Sequence, residues 1–152
     1  MFTPSRFALA SGPMSETADP DSHRTSTSER VELNLPLHVR HASTVRAVSC
    51  SIAADSGFSV DDIDDLRLGV NEVVSVVADA DHDGGARLIV SFEFGAGSVR
   101  FAAKRSGVEA SLSAEDIDPL AERILRAVTD EFFVDAATFV VVKHASRWQT
   151  IS

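Results

Sequence analysis

The sequence has one cysteine and no tyrosine, and its 14 basic residues are outnumbered by 23 acidic ones. With Cys50 alone, the 152-residue chain forms no internal disulfide, which argues against a disulfide-stapled secreted fold and fits a reducing compartment. Cys50 falls in a helical pattern, which predicts a buried and unreactive thiol. The net charge of −9 argues against a nucleic-acid surface, because such surfaces need clustered Lys and Arg.

Long apolar runs are also missing. No segment approaches the ~20 consecutive apolar residues that cross a bilayer. The apolar stretch at residues 7–10 is too short for the core of a signal peptide, and only Arg6 precedes it as a basic residue. We therefore expect a cytoplasmic protein that is neither exported nor inserted in a membrane.

The chain is long enough for one domain with a hydrophobic core. Residues 1–29 are rich in Ser, Thr, Pro, Asp and Glu, which predicts a disordered N-terminal tail in which Met14 is an alternative start. Residues 30–146 form the expected domain, and residues 147–152 form a short C-terminal tail.

Hydrophobic periodicity predicts eight elements in the order strand, helix, helix, strand, strand, helix, strand, strand. The predicted strands cover about 30–36, 87–94, 98–104, 131–134 and 138–143, and the predicted helices about 38–55, 60–80 and 119–129. This order predicts an α+β fold. We expect a two-layer α/β sandwich whose mixed, mostly antiparallel sheet carries the helices on one face.

The second predicted helix carries much of the acidic charge. Ser59 and Asp62 approximate a capping box at its start. Between Ser59 and Asp83, Arg67 is the single base among eight acids: Asp61, Asp62, Asp64, Asp65, Glu72, Asp79, Asp81 and Asp83. Two interpretations are open at this point. The run is either a solvated helix surface or an acidic surface that attracts a basic partner protein.

Glu72 and Val76 lie one turn apart on this helix and point the same way. A carboxylate on a helix that lines a cleft can act as a general base toward a hydroxyl. A carboxamide one turn later can hold a cation that bridges phosphates. Val76 has no oxygen and cannot do this, so Glu72 is a candidate catalytic residue without its partner.

Three segments together carry a family resemblance: the strand at 31–36, the helix at 65–73 and the helix-to-strand passage at 124–132. From residue 30 to about 145 the chain resembles the anti-sigma factor and serine-kinase branch of the GHKL ATPases, whose fold is that of histidine kinase-like ATPases. The resemblance implies a bacterial regulator of transcription that forms a homodimer. Its implied partners are a sigma factor and an anti-anti-sigma antagonist of the STAS type.

The nucleotide-binding positions of that family are mostly replaced here. Val76 stands where the family has its magnesium-binding Asn. Of the family's Asp-x-Gly-x-Gly, Arg105 and Glu109 replace two positions and Gly107 is retained. Pro119 and Ala121 stand at the glycine-rich phosphate lid, where backbone N–H groups bind anions. These replacements predict a protein without a nucleotide cofactor, in which Glu72 is a remnant.

Three functions remain open from the sequence. The first is an anti-sigma binding protein that sequesters its sigma factor without ATP. The second is an ATP- and magnesium-dependent serine kinase that acts on the antagonist and keeps Glu72 as its base. The third is a regulatory module of the same fold with another partner. The five histidines show no ligand pairing that would hold a metal, and His38 and His41 lack further ligands nearby.

Overall fold

The computed structural model describes residues 28–78, 85–109 and 111–146. They form an α+β fold with a five-stranded antiparallel sheet and three α-helices, in the predicted order. The strands are β1 (Glu29–Pro36), β2 (Arg87–Gly95), β3 (Ser98–Ser106), β4 (Glu131–Asp135) and β5 (Thr138–His144), and the helices are α1 (Ala42–Asp55), α2 (Val60–Val77) and α3 (Pro119–Val128). The two predicted tails lie outside the described residues, except that Ser28 is described and Glu29 begins β1.

The sheet has the order β1-β2-β3-β5-β4, and every neighbouring pair is antiparallel. The prediction of a mixed sheet is therefore wrong. The strands β3 and β4 run in the same direction, because α3 carries the chain back along the sheet between them. They do not pair, because the hairpin strand β5 lies between them and is antiparallel to both.

The hydrophobic core lies between one face of the sheet and the helices. Phe92, Phe101 and Phe139 are fully buried on that face, and the ring centroids of Phe92 and Phe101 lie 5.1 Å apart. Opposite them, α2 packs on β3 and β5 and buries the apolar side that its periodicity predicts: Leu66, Val70, Val73 and Val77. The arrangement is that of a two-layer sandwich.

The start of α1 differs from the prediction. Residues Val39–His41 form a 3-10 turn, and α1 itself begins at Ala42. The turn is held by a hydrogen bond of 3.0 Å from the backbone N–H of Arg40 to Nδ1 of His38. Cys50 is partly exposed on α1, so the prediction of a buried thiol is wrong.

Asp62 ties the start of α2 to the end of the described chain. Its Oδ2 accepts hydrogen bonds from the backbone N–H and the hydroxyl of Ser146, both at 2.9 Å. The predicted capping box with Ser59 is confirmed. Burial raises the pKa of Asp62, but the hydrogen bonds from Ser146 and Ser59 outweigh it and hold the pKa below the ordinary value of 3.8.

Asp62→Asn is expected to lower the free energy of unfolding by about 1–2 kcal/mol at neutral pH, because the buried hydrogen bonds lose a charged acceptor. The folded pKa is the lower one, so this stability is complete above the unfolded pKa and is lost as the pH falls through the folded pKa. Urea unfolding of both proteins from pH 7 down to about pH 3 should therefore show the difference shrinking below about pH 4.

The matched control is Asp64→Asn on the same helix, whose exposed carboxylate pairs with Arg67 at 3.0 Å. It is expected to cost at most about 0.5 kcal/mol, as surface pairs do. Equal effects of the two substitutions at pH 7 would contradict the role given to Asp62.

The β4–β5 hairpin is closed by Ala136 and Ala137, both at positive φ, 51° and 61°. A two-residue loop of this kind is adopted at lower cost by Asn-Gly. Ala136→Asn combined with Ala137→Gly is expected to raise the free energy of unfolding by about 1 kcal/mol, measured by thermal unfolding. The control is Ala54→Gly at an exposed helical site of α1, which should lower the free energy of unfolding by about 1 kcal/mol. If this control also stabilised the protein, the positive φ angles of Ala136 and Ala137 would not explain the effect of the hairpin variant.

Candidate functional site

The helix α2 lies between α1 and α3 and carries the first candidate site residues. Gly69 is buried where α2 meets α3, since a Cβ at this position would lie 3.0 Å from Cγ2 of Thr129 and 3.6 Å from Cγ2 of Val128. Glu72 follows three residues later and Val76 one turn after that, so all three lie on the α3 side of α2. This is the side that would line a cleft.

Glu72 and Val76 come together as predicted but form no cation site. Glu72 is partly buried, and its carboxylate makes no hydrogen bond or ion pair with the described residues. Val76 is partly buried and packs against the hydrophobic core. The one oxygen-bearing group at this pair of positions is therefore the Glu72 carboxylate, and its neighbour is part of the packing.

Arg105 lies on the helix-facing side of β3, in register with Leu88. One guanidinium nitrogen, Nη1, donates to the backbone carbonyl of Val77 at the end of α2, at 3.3 Å. Its Nε is buried without a hydrogen-bond partner. A cation at this place satisfies a terminal carbonyl of the helix and complements the helix dipole. The side chain thus joins the sheet to the end of the helix.

Gly107 is accounted for by local packing. Its φ is +82°, and a Cβ there would lie 3.0 Å from the Gly85 carbonyl oxygen and 3.1 Å from Cα of Ala86. A side chain is excluded both by the backbone conformation and by this close approach. Glu109, two residues later, is exposed. A glycine at position 107 therefore has a structural reason in the local packing.

The segment between β3 and α3 folds onto the core. Leu112 is 4% exposed, and Val108 and Ile117 are partly buried against the same core. The sequence shows little periodicity here, yet Ala114–Asp116 forms a short 3-10 helix that begins with a capping box from Ser113. These apolar contacts hold the segment on the core.

The N-terminus of α3 is capped by the chain itself. Asp118 is the N-cap residue, and its carboxylate accepts the backbone N–H of Ala121 at 2.8 Å. Pro119 stands at the first helical position and has no N–H to donate. Ala121 is buried, whereas Leu120 is exposed although its apolar spacing with Ile124 and Val128 is typical of a side that faces a core. A carboxylate already occupies the end of the helix that an anionic ligand would use.

The described part of the acidic run is largely engaged within the chain. Asp64 pairs with Arg67 at 3.0 Å, and Asp65 pairs with the largely buried Lys143 at 3.6 Å. Asp62 is held by Ser146 and Ser59, which leaves Asp61 and Glu72 without such a partner. Of the two interpretations, these pairings favour an ordinary helix surface. The positions Asp79, Asp81 and Asp83 lie outside the described residues.

Two roles at this site escaped the sequence reasoning. The contact of Arg105 with Val77 joins positions 28 residues apart, and that of Asp62 with Ser146 joins positions 84 residues apart. Neither leaves a local signal, because only the fold brings these groups together. The capping of α3 by Asp118, in contrast, is a local pattern of an acid before Pro at the first helical position.

Within the part of the chain that the structure describes, no three His, Cys, Asp or Glu side chains are placed to hold a metal ion together. In that same part, no helix combines the length and the apolar character that crossing a membrane requires. Comparison of the whole chain with known protein families and with curated protein sequences yields no match.

Proposed function

We propose that the chain is an anti-sigma regulatory protein that binds and sequesters an alternative sigma factor in the cytoplasm, without a nucleotide-dependent kinase step. Two features support this proposal. The order of elements resembles that of the GHKL ATPases, and other residues stand at the positions where that family contacts its nucleotide. In this proposal the protein is a homodimer. An antagonist of the STAS type releases the sigma factor by a route other than phosphorylation by this chain.

One observation carries the proposal: the chain's own groups take the positions that a nucleotide would need. The Asp118 carboxylate caps α3 where phosphates would bind, at 2.8 Å from the Ala121 nitrogen. A triphosphate there would have to displace a bound carboxylate and approach its charge. Arg105 on β3, whose guanidinium donates to the carbonyl at the end of α2, stands where the resemblance implies a carboxylate that recognises adenine.

An ATP-dependent serine kinase is the second candidate, and Glu72 is the observation in its favour. Its carboxylate has no partner among the described residues and lies on the side of α2 that faces α3. As a general base it would need a hydroxyl substrate within hydrogen-bond reach. This candidate also needs magnesium, for which Val76 supplies no ligand.

Isothermal titration of the full chain with Mg-ATP separates the two candidates. We expect no binding heat up to about 1 mM nucleotide, which corresponds to less than about 4 kcal/mol of binding free energy. Saturable binding in the micromolar range, together with phosphate transfer to the antagonist that Glu72→Gln abolishes, would establish the kinase instead. If Mg-ATP binds equally well to the Glu72→Gln variant and no phosphate is transferred, the chain has a nucleotide site but is not a kinase. That result would contradict only the proposed lack of nucleotide binding.

The sigma-factor part of the proposal needs its own measurement. Run-off transcription with the host's alternative sigma factors should fall when the chain is added, in the absence of ATP and to the same extent in its presence. Unchanged transcription with every alternative sigma factor of the host would reject the anti-sigma function. It would leave a regulatory module of this fold with a different partner.

A further inference from the structure

The face of the sheet that points away from the core carries a cavity of about 360 Å³. It is lined by side chains from four adjacent strands: Arg30, Glu32, Ile89, Ser91, Arg100, Ala102, Lys104 and Thr138. The strand register explains its shape. Ala102 on β3 lies beside Ser91 on β2, so small residues form the floor, and Arg100 and Lys104 stand at either end of that floor.

The charge of this cavity is opposite to that of the whole protein. Three cations and one carboxylate line it, a balance of 3 − 1 = +2, whereas the chain carries −9. A second carboxylate, Glu93, lies opposite Arg100 in the register of β2 and β3 on the same face. Arg30 is already engaged by Glu32 and by Glu93, at 2.7 and 2.6 Å. The side chains of Arg100 and Lys104 make no hydrogen bond or ion pair with any described residue. Two unpaired cations beside an apolar floor favour an anionic partner.

The spacing of the two cations indicates the kind of partner. Arg100 and Lys104 are four residues apart on one strand, so their Cα atoms are roughly 13 Å apart, and both point away from the core. This Cα distance equals the separation of two side chains four residues apart on an extended peptide, which would lie along β3 with its acidic side chains toward the sheet.

We propose that this face binds an extended acidic segment of a partner protein, with Arg100 and Lys104 as its charge-pairing residues and Ala102 as the floor beneath it. The site is on the opposite side of the sheet from α2 and the candidate nucleotide site. It stands independently of the anti-sigma function, since it rests on the charges and register of the sheet alone.

The test measures fluorescence anisotropy of a labelled ten-residue peptide of alternating Glu and Gly, titrated with the full chain at low ionic strength. Matched peptides with Gln or Lys in place of Glu are the ligand controls. We expect the Glu peptide to bind, the other two to bind at least about tenfold more weakly, and the binding to weaken with added salt. Equal binding of the Glu and Gln peptides would overturn the proposal.

Charge reversal locates the binding. Arg100→Glu combined with Lys104→Glu is expected to weaken binding of the Glu peptide by at least about tenfold. The control is Arg40→Glu combined with Arg123→Glu, which changes the net charge equally at exposed sites off this face and should alter affinity by less than about twofold. Equal losses in both variants would show that net charge alone attracts the peptide, and would overturn the proposal.

A third variant keeps the charges and fills the floor. Ala102→Leu should weaken binding of the Glu peptide, and circular dichroism should show that this variant is folded. Unchanged affinity in the folded variant would reject the placement of the peptide over Ala102. Competition by inorganic phosphate separates a segment site from a small-anion site. If phosphate displaces the peptide while chloride at equal ionic strength does not, the cavity holds a small anion and the peptide proposal is overturned.

Discussion

Phe101→Ala is expected to lower the free energy of unfolding by about 3–5 kcal/mol, a large part of the stability of a domain this size. Phe101 is fully buried in the middle strand of the sheet, where its ring meets that of Phe92 at 5.1 Å between centroids. Its removal loses the free energy gained by transferring the ring out of water, and the cavity left behind adds a further destabilising contribution. Surrounding strands are held in register and cannot collapse fully into that space.

Chemical denaturation followed by circular dichroism gives the magnitude, and Leu120→Ala is the matched control. Leu120 is 66% exposed on α3, so its truncation should change the free energy of unfolding by less than about 0.5 kcal/mol. A double-mutant cycle with Phe92→Ala should show a coupling of about 0.5–1.5 kcal/mol for the aromatic pair. A loss below about 1 kcal/mol in Phe101→Ala would contradict the core described above.

Gly69→Leu is expected to destabilise the protein by about 2–3 kcal/mol, because it overpacks the contact between α2 and α3. Even a Cβ at Gly69 would lie 3.0 Å from Cγ2 of Thr129. The Thr129 side chain cannot rotate freely to move this methyl away, because its hydroxyl donates to the Leu125 carbonyl at 2.7 Å and fixes the rotamer. The larger side chain therefore pushes α3 away from α2.

The control for Gly69→Leu is Ser75→Leu, which adds the same side chain at a partly exposed position of α2 and should cost less than about 0.5 kcal/mol. A smaller change tests the mechanism. Gly69→Ala gains about 1 kcal/mol in helix propensity but meets the Thr129 methyl, so it should stabilise the chain only when Thr129→Ser removes that methyl. Equal effects of Gly69→Ala in both backgrounds would exclude the steric explanation.

These two residues bear on function through α2. Phe101 belongs to the core on which α2 packs, and Gly69 sets how closely α3 approaches the side of α2 that carries Glu72. A cleft between α2 and α3 would need room there. The close contact at Gly69, the packing of Val76 and the capped end of α3 instead make this region part of the folded core.

The sequence predicted the element types well where a pattern was strong and local. The apolar side of α2, the capping box of Ser59 and the Pro119 start of α3 follow from periodicity and capping chemistry, which act within one or two turns. The sequence predicts less well which side chains are buried, because burial depends on where each element lies in the folded protein. Leu120 fits the apolar periodicity of α3 and is nevertheless exposed.

By itself, the sequence determined the α+β order of elements, the side chain without oxygen at position 76 and the acidic balance of the chain, because these depend on residue identity and local periodicity. Only the tertiary structure decided the strand order, the tie between Asp62 and Ser146, and the contact of Arg105 with the end of α2. It also decided that Arg100 and Lys104, whose side chains have no partner among the described residues, lie on the open face of the sheet in an acidic protein. Each of these joins residues far apart in the chain, and pairing between distant groups follows from packing rather than from any local pattern.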